Sequence, residues 1–437
     1  MGLTRLTQLA RSARRCISGV RNACAAGSGG RRLPARVTGT GRAAEEGLQA
    51  SRTICALAVD RLDQGGLEQV VFHLARDLPA HGFDPIVICW KEGGRVAREL
   101  MRRGVRVYCA WENRARLAQV LEHEAPEVIG SHWVDAAVLR EAAQQGIPVV
   151  EHVHNMYIWL DEDGWLRERE RSRHFAWTLA VSSLVKGYYS NWNRELDPAR
   201  MAVLPNGIEA RADLGPDYRA ARERIGIGAR DFLIVCLAAY DGIKNQLGLL
   251  AAFEVAARRY HEARIICAGS VRNRGYHAQV SRFVSGLSSR SRIHLWAKHA
   301  EASRLLAAAD LYVVDSFAEG WSLAATEALA AGVPLVHSEC GGARELVGEG
   351  ERGILVPNAA GNPLEVNREV FLHLMAEPEQ PNQTALVEAM GRMVEGRDQW
   401  QERRPELARA ARQQFSLAGQ VRGYSEVLER VRTRSPA

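Results

Sequence analysis

Lysine is nearly missing from this chain. Lys91, Lys186, Lys244 and Lys298 are the whole set, against 57 Lys and Arg together in 437 residues. The scarcity makes each lysine conspicuous without assigning it a role. The eight cysteines lack both the C-x-x-C spacing of a metal knuckle and the density of a disulfide scaffold. Cys55, Cys89, Cys236 and Cys267 fall inside apolar runs, as reduced core residues of a cytosolic protein do. No apolar run approaches the roughly eighteen residues that cross a bilayer, and no apolar core of a secretory leader is present. A net charge of +6 invites a nucleic-acid partner, but residues 1–50 alone carry +7, so the remainder sums to −1. A near-neutral body without a basic, aromatic-laced stripe argues against nucleic acid.

The length predicts more than one domain. Residues 1–50 form a basic tail with Leu3, Leu6, Leu9, Ala13, Ile17 and Val20 on one helical face and arginines around it. Three readings stay open for it: a disordered segment, an organellar transit peptide, or an amphipathic helix resting on the inner face of a membrane. From Thr53 onward, short apolar runs alternate with stretches of i, i+3, i+4 apolar spacing. Strands are expected at 53–59, 85–90, 105–110, 127–132, 148–154, 178–182 and 201–205. A second series follows at 232–239, 264–269, 292–296, 311–315, 334–338 and 353–356. This βα alternation predicts an α/β protein with two open parallel sheets, each covered by helices. The expected units are 51–208, 209–414 after a turn-rich joint near Pro205–Pro216, and a terminal helix in 415–437 that docks back through Val421, Tyr424, Leu428 and Val431.

Ligands of such sheets bind beyond the C-terminal ends of the strands. The most telling segment lies at such an end: Ser316-Phe317-Ala318-Glu319-Gly320-Trp321-Ser322-Leu323-Ala324-Ala325-Thr326-Glu327. Leu311–Val314 reads as a buried strand, Gly320 permits a tight turn, and Ser322 caps a helix running to Ala331. A helix start offers unpaired N–H groups and a positive dipole end, which suit a diphosphate. Glu319 before the turn and Glu327 within the helix then accept from hydroxyls on either side of that anion, a sugar on one and a ribose on the other. The spacing fits a sugar nucleotide.

Other motifs are weaker alone. Gly65-Gly66-Leu67-Glu68 after the first strand and Gly341-Gly342 after 334–338 bring backbone close to a ligand, or simply make a turn. Lys244-Asn245 puts a cation where a leaving diphosphate forms, or an ordinary lysine at an exposed helix start. Pro205-Asn206-Gly207 reads as a turn. His152 and His154 end a strand on one face. They serve a cleft, fill a core, or hold a metal for which no third ligand is evident.

Taken in order, these residues resemble glycosyltransferase family 4, the group 1 glycosyltransferases of GT-B fold. The likeness runs from about Thr53 to Val431. It is most specific at Glu319 to Glu327, which resembles an E-x7-E motif, followed by Ala328-Leu329-Ala330-Ala331-Gly332-Val333-Pro334. The resemblance implies metal-independent, retaining transfer of a sugar from a nucleoside-diphosphate donor, with no further cofactor. Acceptors would be glycans, lipid-linked sugars or small molecules held by the N-terminal domain, at loops such as 159–173. By the same carry-over Glu319, Gly320, Trp321, Ser322 and Leu323 hold the donor sugar and diphosphate, and Glu327 holds the ribose. Lys244 beside Asn245 pairs with the phosphates, Gly66 approaches from the opposite domain, and His154 touches the transferred sugar. One departure stands out: where the family usually places Gly-Arg before the lysine, this chain has Ala238-Ala239. A binding module that has lost catalysis, or a sugar-nucleotide epimerase, are the competing readings.

Overall fold

The computed structural model describes residues 52–63, 65–209, 218–297 and 302–434. The basic tail, Lys298 and much of the expected joint lie outside these residues. Strands β1 (Thr53–Leu62), β2 (Phe83–Gly93), β3 (Arg106–Cys109), β4 (Val128–His132), β5 (Val149–Val153), β6 (Trp177–Ala180) and β7 (Met201–Val203) form one parallel sheet of order β3-β2-β1-β4-β5-β6-β7. Strands β8 (Phe232–Leu237), β9 (Ala263–Ala268), β10 (Ile293–Trp296), β11 (Leu311–Val314), β12 (Leu335–Ser338) and β13 (Gly353–Val356) form a second, ordered β10-β9-β8-β11-β12-β13. All thirteen lie where the apolar runs place them.

The boundaries differ for a physical reason. β1 and β2 run past their apolar cores to Leu62 and Gly93, because Asp60 meets Lys91 at 2.5 Å and Arg61 pairs with Glu92 across the strands. A reading by hydrophobicity stops where the side chains turn polar, whereas the ladder continues where charges pair. β5 stops at Val153, leaving His154 just beyond the strand end, and β6 stops at Ala180, freeing Ser182 to cap the helix Ser183–Trp192.

Both sheets reverse strand order once, between β1 and β4 and between β8 and β11. Such switch points leave a crevice beyond the strand ends, which is where ligands of doubly wound sheets bind. The glycine pair follows β1, His132 ends β4, Lys244 follows β8 and Glu319 follows β11. Four motifs far apart in sequence therefore share two crevices.

One apolar cluster joins Val153, Tyr157, Trp165 and Tyr188 to Val235, Tyr312, Phe317 and Trp321, so the two halves share core as well as linker. Polar links accompany it: Tyr188 donates to the Val366 carbonyl at 2.7 Å, and the Ser183 amide to Glu345 at 2.6 Å. The terminal helix Leu417–Arg434 buries Val421, Tyr424, Leu428 and Val431 against Leu57, Leu74 and Val128 of the first sheet's layer. The two chain crossings run side by side, with the Ile208 amide donating to Phe415 and the Leu417 amide to Ile208, both at 2.9 Å. Pro205-Asn206-Gly207 is more than a turn here. The Gly207 amide donates to Gln420 at 2.8 Å, and a Cβ on Gly207 would lie 2.5 Å from the Ser416 carbonyl.

Candidate active site

Glu319 and Lys244 form the polar centre. The Lys244 ammonium donates to Glu319 Oε1 at 2.6 Å and the Ser316 hydroxyl to the same oxygen at 2.8 Å. Burial favours the neutral acid, yet the adjacent ammonium and hydroxyl outweigh it and hold the Glu319 carboxyl below its ordinary value. Glu319 is therefore an anion at neutral pH, in a place where water screens little.

Lys244 is held by what lies beneath it. Asn245 adopts a left-handed conformation, φ 47°, and its side-chain oxygen caps the helix Gln246–Ala256 by accepting from the Gly248 amide. Its amide nitrogen donates to Asp315 at 2.9 Å, and Asn382 donates to the other Asp315 oxygen at 2.8 Å. Burial raises the Asp315 acid to about 7 although both amides stabilise its anion. The Asn245 side chain is thus engaged by Gly248 and Asp315, next in sequence to Lys244. Ala238-Ala239 follows β8 at a close approach: a Cβ on Gly269 would stand 1.9 Å from the Ala238 carbonyl.

The turn after β11 behaves as its residues predict. The Ser322 hydroxyl accepts from the Ala325 amide at 3.2 Å and starts the helix Leu323–Ala330. Gly320 is required by proximity, since a Cβ there would stand 1.7 Å from the His154 carbonyl oxygen. Gly341, at φ +52°, backs onto Glu319 and Gly320, and a Cβ on Gly342 would strike the Trp321 ring at 2.3 Å. The second glycine pair therefore shapes this turn from behind. The Trp321 indole is buried, donates to Thr326 at 2.9 Å and packs edge-on against Phe415. The Trp321 indole is thereby engaged within the protein, leaving its backbone at the turn.

Across the crevice, the Gly66 position faces Leu323, 3.8 Å away, at the start of the helix Gly66–Asp77. A cavity of about 150 Å³ between that helix and Leu323–Ala330 is lined by Gln69, Val70, His73, Gly207, Leu323 and Glu327. Glu319 precedes the helix Leu323–Ala330 and Glu327 lies within it, lining this cavity.

His154 closes the third side. Its Nε2 lies 2.8 Å from His132 Nδ1, and His132 Nε2 is 3.3 Å from the Tyr424 hydroxyl. Burial pushes the His154 imidazole down to about 3, so the ring is neutral and can share a proton without carrying charge. The sequence offered no third histidine beside His152 and His154; the structure supplies His132. The signal was that the apolar runs 127–132 and 148–154 both end in histidine, but only the pairing of β4 with β5 makes it visible.

An aromatic shelf adjoins His154, and sequence reasoning missed it. Trp133 and Tyr157 both have left-handed backbones, φ 55° and 56°, which bulky residues seldom adopt. Trp133 is 38% exposed and stacks on buried Tyr157 at 5.0 Å, with Trp159 edge-on to both. A buried network holds this geometry. Arg171 binds Glu168 at 2.6 Å and Glu151 at 3.3 Å while donating to the Val134 carbonyl at 3.0 Å, and Glu151 accepts from the Trp133 amide at 3.2 Å. Backbone strain held in place by buried ions gathers at functional surfaces.

Comparison with known proteins agrees with this geometry. The model of Glycosyltransferase Family 4 matches residues 64–211, and that of Glycosyl transferases group 1 matches residues 231–368. A D-inositol 3-phosphate glycosyltransferase of Segniliparus rotundus is 26% identical over 226 residues, covering 51% of this chain and 47% of its own. One from Mycobacterium bovis is 30% identical over 164 residues, 37% of this chain and 33% of its own. The chain thus spans about half or less of the length of these curated relatives. Among solved structures, a glycosyltransferase from Rickettsia africae superposes with TM-score 0.67 at 15% identity, over 88% of this chain and all of its own. Anabaena HepE, solved in complex with UDP, gives TM-score 0.67 at 16% identity over 86% of this chain and all of its own. The two-sheet arrangement is the GT-B fold.

Proposed function

We propose that this chain, which belongs to the group 1 glycosyltransferases of family 4, moves a sugar from a nucleoside-diphosphate sugar to a glycan, lipid-linked or small-molecule acceptor, retaining the anomeric configuration and using no metal in the transfer. One observation carries the reading: a partly buried Lys244–Glu319 pair and Glu327 flank the start of the helix Leu323–Ala330, opposite Gly66, at the meeting of two switch points. The UDP held by the Anabaena neighbour supports a nucleotide-sugar donor here.

In this reading the diphosphate takes the N–H groups of that helix start, Glu327 accepts from the ribose hydroxyls and Glu319 from those of the donor sugar. As the glycosidic bond to phosphate breaks, negative charge grows on the leaving oxygen, and Lys244 is the cation placed to meet it. His154, neutral and hydrogen-bonded to His132, contacts the transferred sugar and orients it. Ala239 gives the site one positive charge fewer than the family's usual Gly-Arg, which leaves Lys244 a larger share. The exposed face of Trp133 beside His154 offers the acceptor an apolar platform, as aromatic rings do for the C–H face of a cyclic polyol. Retention follows if the acceptor attacks from the side the diphosphate leaves.

The test is a purified panel of UDP, GDP and ADP sugars with product analysis. Transfer to added acceptor with retained configuration supports the reading. Conversion of the donor sugar without acceptor indicates an epimerase, and binding without turnover a non-catalytic module.

A further inference from the structure

The histidines beneath the crevice are more numerous than the transfer needs. β4 and β5 pair in parallel with Ser131 opposite Glu151, so His132 and His152 are the next neighbours in register, and His154 follows two residues on along the same face. The three ring centroids stand 4.2 to 5.5 Å apart. One ligand nitrogen from each ring lies within 4.8 Å of the others. His132 and His154 share one hydrogen bond, and Tyr424 holds the far nitrogen of His132. His152 is 0% exposed, and neither of its nitrogens has a hydrogen-bond partner. The carboxylate beside it in sequence, Glu151, is taken by Ser131, the Trp133 amide and Arg171. An imidazole buried with both nitrogens unsatisfied loses its hydration without recompense, which calls for a ligand.

We propose that His132, His152 and His154 form a binding site for a zinc-class divalent ion, with three imidazole nitrogens as ligands and the fourth position open toward the crevice on the His154 side. Zinc–nitrogen bonds of about 2.0–2.1 Å in a tetrahedron place ligand nitrogens roughly 3.3 Å apart. That separation falls between the 2.8 Å of one pair and the 4.8 Å within which all three nitrogens lie. Tyr424 acts as an outer partner: by engaging Nε2 of His132 it leaves Nδ1 facing the other two rings. Tyr424 lies on the terminal helix, which ties the site to the docking of that helix. The ion is no part of the transfer. It competes for His154, so zinc and productive donor binding exclude each other.

The experiment uses the full-length protein, stripped with chelator and titrated with Co²⁺ as a spectroscopic probe, then with Zn²⁺ by calorimetry. The wild type is expected to give tetrahedral cobalt bands in the visible at one equivalent, displaced by zinc. His152→Phe and His132→Gln should bind at least tenfold more weakly. Absence of tetrahedral bands in the wild type overturns the proposal whether or not the variants fold, as does equal affinity in folded variants. Micromolar zinc should also slow wild-type transfer at least fivefold, reversibly with chelator, and leave His152→Phe unaffected. Only this last arm rests on the proposed function. Cobalt binding without inhibition keeps the metal site and removes His154 from the transfer.

Discussion

Lys244 and Glu319 stand 2.6 Å apart, and the ammonium helps hold the Glu319 carboxyl below its ordinary value. Replacing Lys244 with alanine removes the cation proposed to meet the departing diphosphate, and leaves the Glu319 carboxylate with the Ser316 hydroxyl. Turnover is expected to fall about a hundredfold or more while the far-UV spectrum stays native. Product formation near the wild-type rate would contradict its role. Glu327→Ala should weaken the nucleotide diphosphate itself, raising its Kd about tenfold or more by calorimetry. Asp315 gives a pH signature. Its folded acid titrates at about 7 against an ordinary 3.8, so the folded state holds its proton longer than the unfolded chain. Its contribution to stability is therefore full below the ordinary value and lost as pH rises toward 7, at up to roughly 1.4 kcal/mol per pH unit. Asp315→Asn cannot titrate. Urea unfolding at pH 5 and 7.5 should show the variant gaining on wild type as pH rises, and a constant difference would contradict the assignment.

At the scale of elements, the apolar runs placed every strand and the Ser322 cap placed the key helix, because both signals are local in sequence. Other features depend on which strands become neighbours, and no local signal carries that. His132 meets His154 only because β4 pairs with β5, and Asp315 supports Asn245 only because β11 lies beside β8. The Glu151–Arg171–Glu168 network and the strained Trp133 were illegible for the same reason: strain is a property of the packed backbone. Gly320 was legible as a turn residue, yet its larger constraint comes from the opposite half. Gly320→Ala forces a methyl into the His154 carbonyl, 1.7 Å from its ideal position. The expected result is a Tm several degrees lower together with a loss of activity larger than stability explains, since the turn and the histidine must part. A variant with unchanged Tm and rate would show that the halves meet elsewhere.

Taken whole, the molecule sets two crevices face to face and binds them together with a shared apolar cluster and a returning helix. The terminal helix contributes Val421, Tyr424 and Leu428 to the first sheet's core, so truncation after Ser416 should expose that face and give aggregated protein. Soluble, cooperatively unfolding truncated chain would deny the helix this part. The facing crevices lead to the central claim, that a nucleoside diphosphate lodges at the start of the helix Leu323–Ala330 between Glu319 and Glu327. A crystal structure with whichever of UDP, GDP or ADP raises Tm most tests it directly. The account predicts the diphosphate on the backbone amides beside Ser322 and Leu323, with Lys244 turned to it and the ribose hydroxyls on Glu327. Nucleotide bound away from that helix start, or with Glu327 untouched, would contradict it.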